Sequence, residues 1–357
     1  MSTAPSVVNE TVPRGRLRDL GLKLLLLVVS LTFVALLLEG LVRVLGLQTA
    51  SYHSISGFCR YDPDLGWNLV PEHRVVFKGR HFSALVETSE QGLRDRHFPL
   101  QPEEGRRRIL FLGDSVVWCW GVAIEECFTK RLESSLRDTE VITMGVPGYS
   151  TAQAMRLYEL QGARFNPDVV VYVMIANDLA ENLDRRKRPH FVIRDGELEQ
   201  TNHPVARRKG ALKEWLTQNS ELYTQARFRM QVAQEMLKVL REKLRRDGPQ
   251  GDRSSYATVA IDDEDSWRLY MALLDRLRSR VLADGAEFVV VSVELDPEFS
   301  ERLDRYCAER GCRMIDAGVE IRAADTAGRA IRLRGDPHFA PEGQQLLTDV
   351  LLPALEG

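Results

Sequence analysis

Four short polar clusters in this 357-residue chain carry the residue types needed to act together on an acyl group. Gly113-Asp114-Ser115 closes one apolar run, and Gly145-Val146-Pro147-Gly148 follows a second. Asn177-Asp178 ends a third, and Asp336-Pro337-His338 stands just before a final helical stretch. Nucleophilic acyl transfer needs an exposed hydroxyl, an imidazole to take its proton, a carboxylate to hold that imidazole, and donors for the oxyanion. Ser115, at a strand-to-helix turn, supplies a hydroxyl, and its own N–H can point the same way. Gly145 lacks a Cβ and can bring a bare N–H close to a substrate, while Asn177 carries a side-chain NH2 donor. His338, the last of seven histidines, is the candidate base, with Asp336 as its orienter. Singly, each of these is an ordinary turn residue, cap or surface histidine. What joins them is that one parallel sheet would gather all four at its rim.

That sheet is written in the hydrophobic pattern. Asp168–Ile175 (DVVVYVMI) and Glu287–Val293 are continuous apolar runs of the kind buried on both faces, and Ile109–Leu112, Glu140–Met144 and residues 313–316 read as further short strands. Helical periodicity fills the gaps at Glu125–Arg137, Thr151–Phe165, 265–284, 297–310 and 341–355. Strands alternating with helices predict a parallel sheet covered on both sides, with ligands bound beyond the carboxyl ends of the strands.

Ile109–Val122 (ILFLGDSVVWCWGV), Met144–Ser150 (MGVPGYS), Ile175–Leu179 (IANDL) and Asp336–Gly343 (DPHFAPEG) resemble, in order, the four blocks of the SGNH, or GDSL-type, hydrolases. The resemblance covers about 108–180 and 265–357. It implies a flavodoxin-like three-layer α/β/α fold with no metal and no cofactor. It further implies Ser115 as nucleophile, His338 as general base, and an oxyanion hole of Ser115 N–H, Gly145 N–H and Asn177. Two positions depart from the family pattern. Ile175 stands where the third block has glycine, so a bulky side chain must find room beside Asn177. The carboxylate Asp336 lies two places before His338, whereas many members have it three before, where Gly335 sits here.

The first fifty residues set the compartment. Leu24–Leu38 is fifteen uncharged residues, and the apolar character resumes to Leu47. A helix over 24–47 rises roughly 36 Å at about 1.5 Å per residue, enough for a hydrocarbon core of about 30 Å. Glu39 and Arg43 interrupt it at i and i+4, near the end where side chains reach headgroups. Arg14, Arg16, Arg18 and Lys23 precede it and predict a cytoplasmic N-terminus, residues 1–23. An uncleaved single-pass anchor then leaves the rest of the chain extracytoplasmic, on the periplasmic or cell-surface side. Residues 48–107 read as a lead-in with one or two edge strands, and 108–357 as the catalytic domain. Within it, 183–262 breaks the alternation and reads as a helical insertion packed on the domain, from the apolar spacing of Leu212–Leu244. Lidding the site or lying on the membrane are its other readings.

Lys+Arg 48 against Asp+Glu 51 gives a formal charge of −3, so no global basic field attracts nucleic acid. The basic run Arg185–Arg188 reads as a solvated or headgroup-facing loop. Five cysteines, at 59, 119, 127, 307 and 312, contain no CxxC and no metal-ligand cluster. Cys119 and Cys127 read as core; Cys307 and Cys312 could pair across a tight loop. Trp118 and Trp120 are packing residues or a platform for an acyl or sugar group. Three functions compete: an esterase acting on acylated envelope carbohydrate or lipid, an O-acyltransferase passing the acyl group to an extracytoplasmic polysaccharide, and a non-catalytic carbohydrate-binding or scaffold protein. The expected substrate is an acylated small molecule, glycan or lipid.

Overall fold

The buried apolar runs line up side by side, as strands with no polar face must. The computed structural model describes residues 14–44, 55–79, 81–207, 210–220, 222–223, 226–227, 230 and 264–356. Helix α1 (Arg14–Val44) holds a 22-residue stretch, Gly21–Val42, long and apolar enough to cross a membrane. None of it is buried against the rest of the protein, unlike the core helix of a soluble domain. Residues 1–13 and 45–47, expected to flank or complete this segment, lie outside the described residues.

The lead-in forms two hairpins, β1 (Cys59–Asp62) with β2 (Gly66–Leu69), and β3 (Arg74–Lys78) with β4 (Ser83–Glu87). The lead-in, expected to carry one or two edge strands, carries four strands, and neither hairpin joins the central sheet. Their short connections favour antiparallel pairing with the neighbour in sequence. They pack on the domain by Phe58, Leu65, Leu69, Val75 and Phe77, all buried.

The central sheet comprises β5 (Arg107–Gly113), β6 (Thr139–Gly145) and β7 (Val169–Met174), with two later strands, Glu287–Ser292 and Arg313–Asp316. All are parallel, and their spatial order, numbered by sequence, is 2-1-3-4-5. This is the flavodoxin-like order, whose switch point lies between the first and third strands. Alternate side chains feed two cores. Leu110, Leu112, Ile142, Met144, Val170 and Tyr172 face one side; Ile109, Phe111, Val141, Val169, Val171 and Val173 face the other. Helices α2 (Phe128–Ser135), α3 (Thr151–Leu160) and α4 (Asn177–Asn182) follow the first three strands.

The insertion differs from the all-helical expectation. It opens with a hairpin, β8 (Phe191–Arg194) and β9 (Glu197–Gln200), turned at Asp195-Gly196. Both turn residues have positive φ (53° and 84°), the geometry that favours an Asp-Gly pair in a two-residue loop. Helix α5 (Ala211–Asn219) follows. The predicted helical continuation through Val232, Met236, Leu240 and Leu244 lies outside the described residues. The strands labelled β10 (Glu287–Ser292) and β11 (Arg313–Asp316) are flanked by α6 (Glu264–Ala283), α7 (Pro297–Arg310), α8 (Gly318–Thr326) and α9 (Pro341–Leu355). Helices α3, α6 and α7 cover one face of the sheet, and α2, α8 and α9 the other.

Candidate active site

Ser115 lies two residues beyond β5, in a turn closed by the Trp118 N–H donating to the Asp114 carbonyl at 2.9 Å. Asp114 caps the same turn: its Oδ1 accepts the Val116 N–H at 2.9 Å. The turn needs glycine beneath it. A Cβ on Gly145 would lie 2.4 Å from the Trp118 nitrogen and 2.7 Å from the Val117 carbonyl carbon. β6 is the sheet's edge strand, and its outward amides are capped in turn: Val141 by Glu133 at 3.1 Å, Thr143 by Asp95 at 3.0 Å. Gly145 has the same parity, so its N–H is also free of the β5 ladder at this edge.

The imidazole arrives from 223 residues away. His338 Nε2 stands 2.8 Å from Ser115 Oγ, and its Nδ1 stands 2.6 Å from Asp336 Oδ1. The two-residue spacing works because the loop folds back on itself. Gly335 takes φ +69°, Asp336 N–H donates to the Leu333 carbonyl, and Asp336 Oδ1 also accepts the His338 N–H at 3.0 Å. Burial pushes the Asp336 carboxyl up, but the hydrogen bonds from the His338 ring and amide outweigh it. The net effect holds Asp336 below the usual carboxylate range, ionised wherever an imidazole titrates.

An Nδ1–H directed at an ionised Asp336 leaves Nε2 as the acceptor. The Ser115 hydroxyl then has one proton and two acceptors, His338 Nε2 at 2.8 Å and Asp114 Oδ2 at 3.1 Å. The nearer is the imidazole. Burial raises the pKa of Asp114, against the hydrogen bonds it accepts from the Val116 amide and the Ser115 hydroxyl.

Asn177 opens α4 at the carboxyl end of β7, across the switch point from Ser115. Its Oδ1 is buried without a hydrogen-bond partner among the described residues. Its amide lies against Glu181 one turn on, lowering that carboxyl, but burial dominates and pushes Glu181 up to about 7. Asp178 beneath it accepts the Tyr172 hydroxyl at 2.7 Å and is raised by burial and by the Asp114 charge. Ile175, the residue that departs from the glycine pattern, is absorbed by the core with Val173 and Val293. The tryptophans divide. Trp118 is wholly buried and stacks on Phe58, whereas Trp120 stacks on the His338 ring, centroids 4.8 Å apart and planes 17° off parallel.

No protein-family model and no curated protein sequence matches this chain. Among solved structures it is similar to lipolytic proteins of the G-D-S-L family, acylhydrolases and esterases. One is a G-D-S-L family lipolytic protein from Veillonella parvula, 12% identical, TM-score 0.41, matched over 70% of this chain and 98% of that one. Another is a psychrotrophic esterase from Pseudoalteromonas, 12% identical, TM-score 0.41, matched over 70% and 97%. A third is an acetyl-xylooligosaccharide esterase from Geobacillus, 11% identical, TM-score 0.40, matched over 69% and 93%.

Several residues around the site carried no signal in the sequence. Buried Arg94 donates to the carbonyls of Trp118 and Cys119 at 2.7 Å and of Val122 at 2.6 Å, holding the loop after Ser115. Arg188, last of the basic run, pairs with Glu181 at 3.3 Å and donates to the Gly148 carbonyl at 2.8 Å, with its guanidinium over the Trp67 ring. Trp67 donates to the Pro147 carbonyl at 3.2 Å, and Tyr149 donates to the Trp67 carbonyl at 2.6 Å. The lead-in hairpin and the basic run therefore brace the glycine loop from two sides. Only the Asp195-Gly196 turn next to them could have been read locally. Cys119 and Cys127 are buried, while Cys307 and Cys312 are free thiols.

Proposed function

We propose that this protein is a membrane-anchored serine esterase that cleaves carboxylic esters through Ser115, His338 and Asp336. The observation that carries the reading is the unbroken hydrogen-bonded chain Ser115 Oγ–His338–Asp336, at 2.8 and 2.6 Å, at the switch point of a parallel sheet. Ser115 Oγ attacks the ester carbonyl as its proton passes to His338 Nε2. Asp336 stabilises the imidazolium through Nδ1 and keeps the ring in the productive tautomer. The Ser115 and Gly145 N–H groups and one N–H of the Asn177 amide receive the oxyanion, with Glu181 accepting the other N–H of that amide. The alkoxide leaves with the proton from His338, and water clears the acyl-enzyme by the same route. Helix α1 serves as an uncleaved anchor with its basic N-terminal flank in the cytoplasm, which places the domain beside acylated envelope carbohydrate or lipid.

The test is hydrolysis of p-nitrophenyl esters of increasing chain length by the full chain and its Ser115→Ala variant. Turnover in the native protein, lost in the variant together with fluorophosphonate labelling, supports the reading. Hydrolysis that persists in Ser115→Ala removes it. Product analysis with an added polysaccharide acceptor tells hydrolysis from acyl transfer.

A further inference from the structure

A carboxylate inside an apolar span is costly unless it is partnered, and Glu39 sits in the last turn of the Gly21–Val42 stretch. Its partners come from the insertion. Glu39 Oε2 accepts the Ser220 hydroxyl at 2.9 Å and the Leu222 N–H at 3.0 Å. Ser220 Oγ in turn accepts the Tyr223 N–H at 3.1 Å, so Ser220 caps the helical turn that follows α5. The anchor and the insertion are thus joined at one point, the start of a helix whose free N–H groups meet a carboxylate.

That point has a depth. From Gly21 to Glu39 a helix rises about 27 Å, close to the roughly 30 Å of a hydrocarbon core. Ser220 therefore stands at the far edge of the hydrocarbon when Gly21 stands at the near edge. Helix α5 ends at Asn219, and two of its large apolar side chains face outward, Leu212 at 69% and Trp215 at 58% exposed, three residues apart on one face, while Leu216 is half-buried. Trp215 lies five residues from the Glu39 contact, within about 8 Å of it along the helix axis, so a helix lying in the interface keeps it near that level. Tryptophan at that level is the residue type membranes enrich there.

We infer that α5, tied at Ser220, forms an interfacial strap, laying Leu212 and Trp215 into the lipid surface on the side of the membrane that carries the sheet. The occupant of this apolar face is the bilayer interface, because Ser220 and Leu222 tie the end of α5 to Glu39, at the end of an apolar span that the rest of the protein does not cover. The inference rests on α1 spanning the membrane.

The experiment uses the full chain in phosphatidylcholine vesicles with and without brominated acyl chains, reading tryptophan emission. The strap predicts that the lipid-quenched part of the emission falls at least twofold in Trp215→Phe, since Trp67, Trp118, Trp120 and Trp267 belong to the domain. Leu212→Asp, which keeps Trp215, gives the same loss of lipid quenching with gain of acrylamide quenching. Equal lipid quenching in native protein and both variants overturns the inference, as does a Trp215 shielded from lipid and acrylamide alike. Alkaline extraction separates the two readings. Chain released by alkali overturns the anchor and the strap together; chain retained, with Trp215 untouched by brominated lipid, overturns the strap alone.

Discussion

Replacing Gly145 with alanine drives a methyl group into the turn that carries the nucleophile. The added carbon would stand 2.4 Å from the Trp118 nitrogen, 2.7 Å from the Val117 carbonyl carbon and 2.8 Å from Val117 Cβ. Non-bonded carbons rest about 3.5–4.0 Å apart, so the strand and the turn must separate by roughly 1 Å. Two of the three neighbours are backbone and cannot rotate away. Overpacking of this kind costs about 1–3 kcal/mol, and at roughly 2–4 °C per kcal/mol Tm falls by about 2–12 °C. The separation also pulls the Gly145 N–H and Ser115 Oγ apart, and a shift near 1 Å costs on the order of 100-fold in rate. Thermal unfolding by circular dichroism and kcat/KM on p-nitrophenyl acetate measure the two effects. A Gly145→Ala protein that loses Tm as expected yet keeps kcat/KM within twofold refutes the placement of this amide at the reacting carbonyl. Unchanged Tm refutes the close approach itself.

Other perturbations have equally definite outcomes. Asn177→Ala removes one oxyanion donor and lowers kcat by about 10²–10³, with KM little changed, in steady-state ester hydrolysis. Glu181, raised to about 7 by burial, binds its proton more tightly folded than unfolded. Its effect is to make stability fall as pH rises from the ordinary carboxylate range to about 7, by about 3 kcal/mol across that window. Glu181→Gln removes this slope, read as urea midpoints at pH 5 and pH 8. Arg94→Met leaves the carbonyls of Trp118, Cys119 and Val122 without their buried donor and costs about 3 kcal/mol or more in urea unfolding, with loss of fluorophosphonate labelling.

What was legible in the sequence was whatever is periodic or local. Short apolar runs alternating with helical spacing announce a parallel sheet, polar clusters at the carboxyl ends of three of them mark Ser115, Gly145 and Asn177, and His338 stands just before the last helix. The Asp336-His338 spacing was readable only in part, because what makes it work is the left-handed Gly335 and the fold-back onto Leu333. Arg94 and Arg188 were not legible at all. A guanidinium that serves backbone carbonyls far along the chain leaves no pattern in its own neighbourhood, and basic residues in a loop default to solvent. The lead-in hairpins were read as edge strands because alternation reports that a strand has two faces, not which strand it joins. The Asp195-Gly196 hairpin was hidden by the apolar helical spacing farther on, which dominated the reading of the insertion.

The hydroxyl and the imidazole are separated by 223 positions, and nearly the whole sheet is laid down between them. A ribosome therefore finishes β5, β6, β7 and β10 long before it reaches His338. On the proposed reading, a chain still being made holds Ser115 with no imidazole beside it, so synthesis order itself delays the chemistry until the domain is complete.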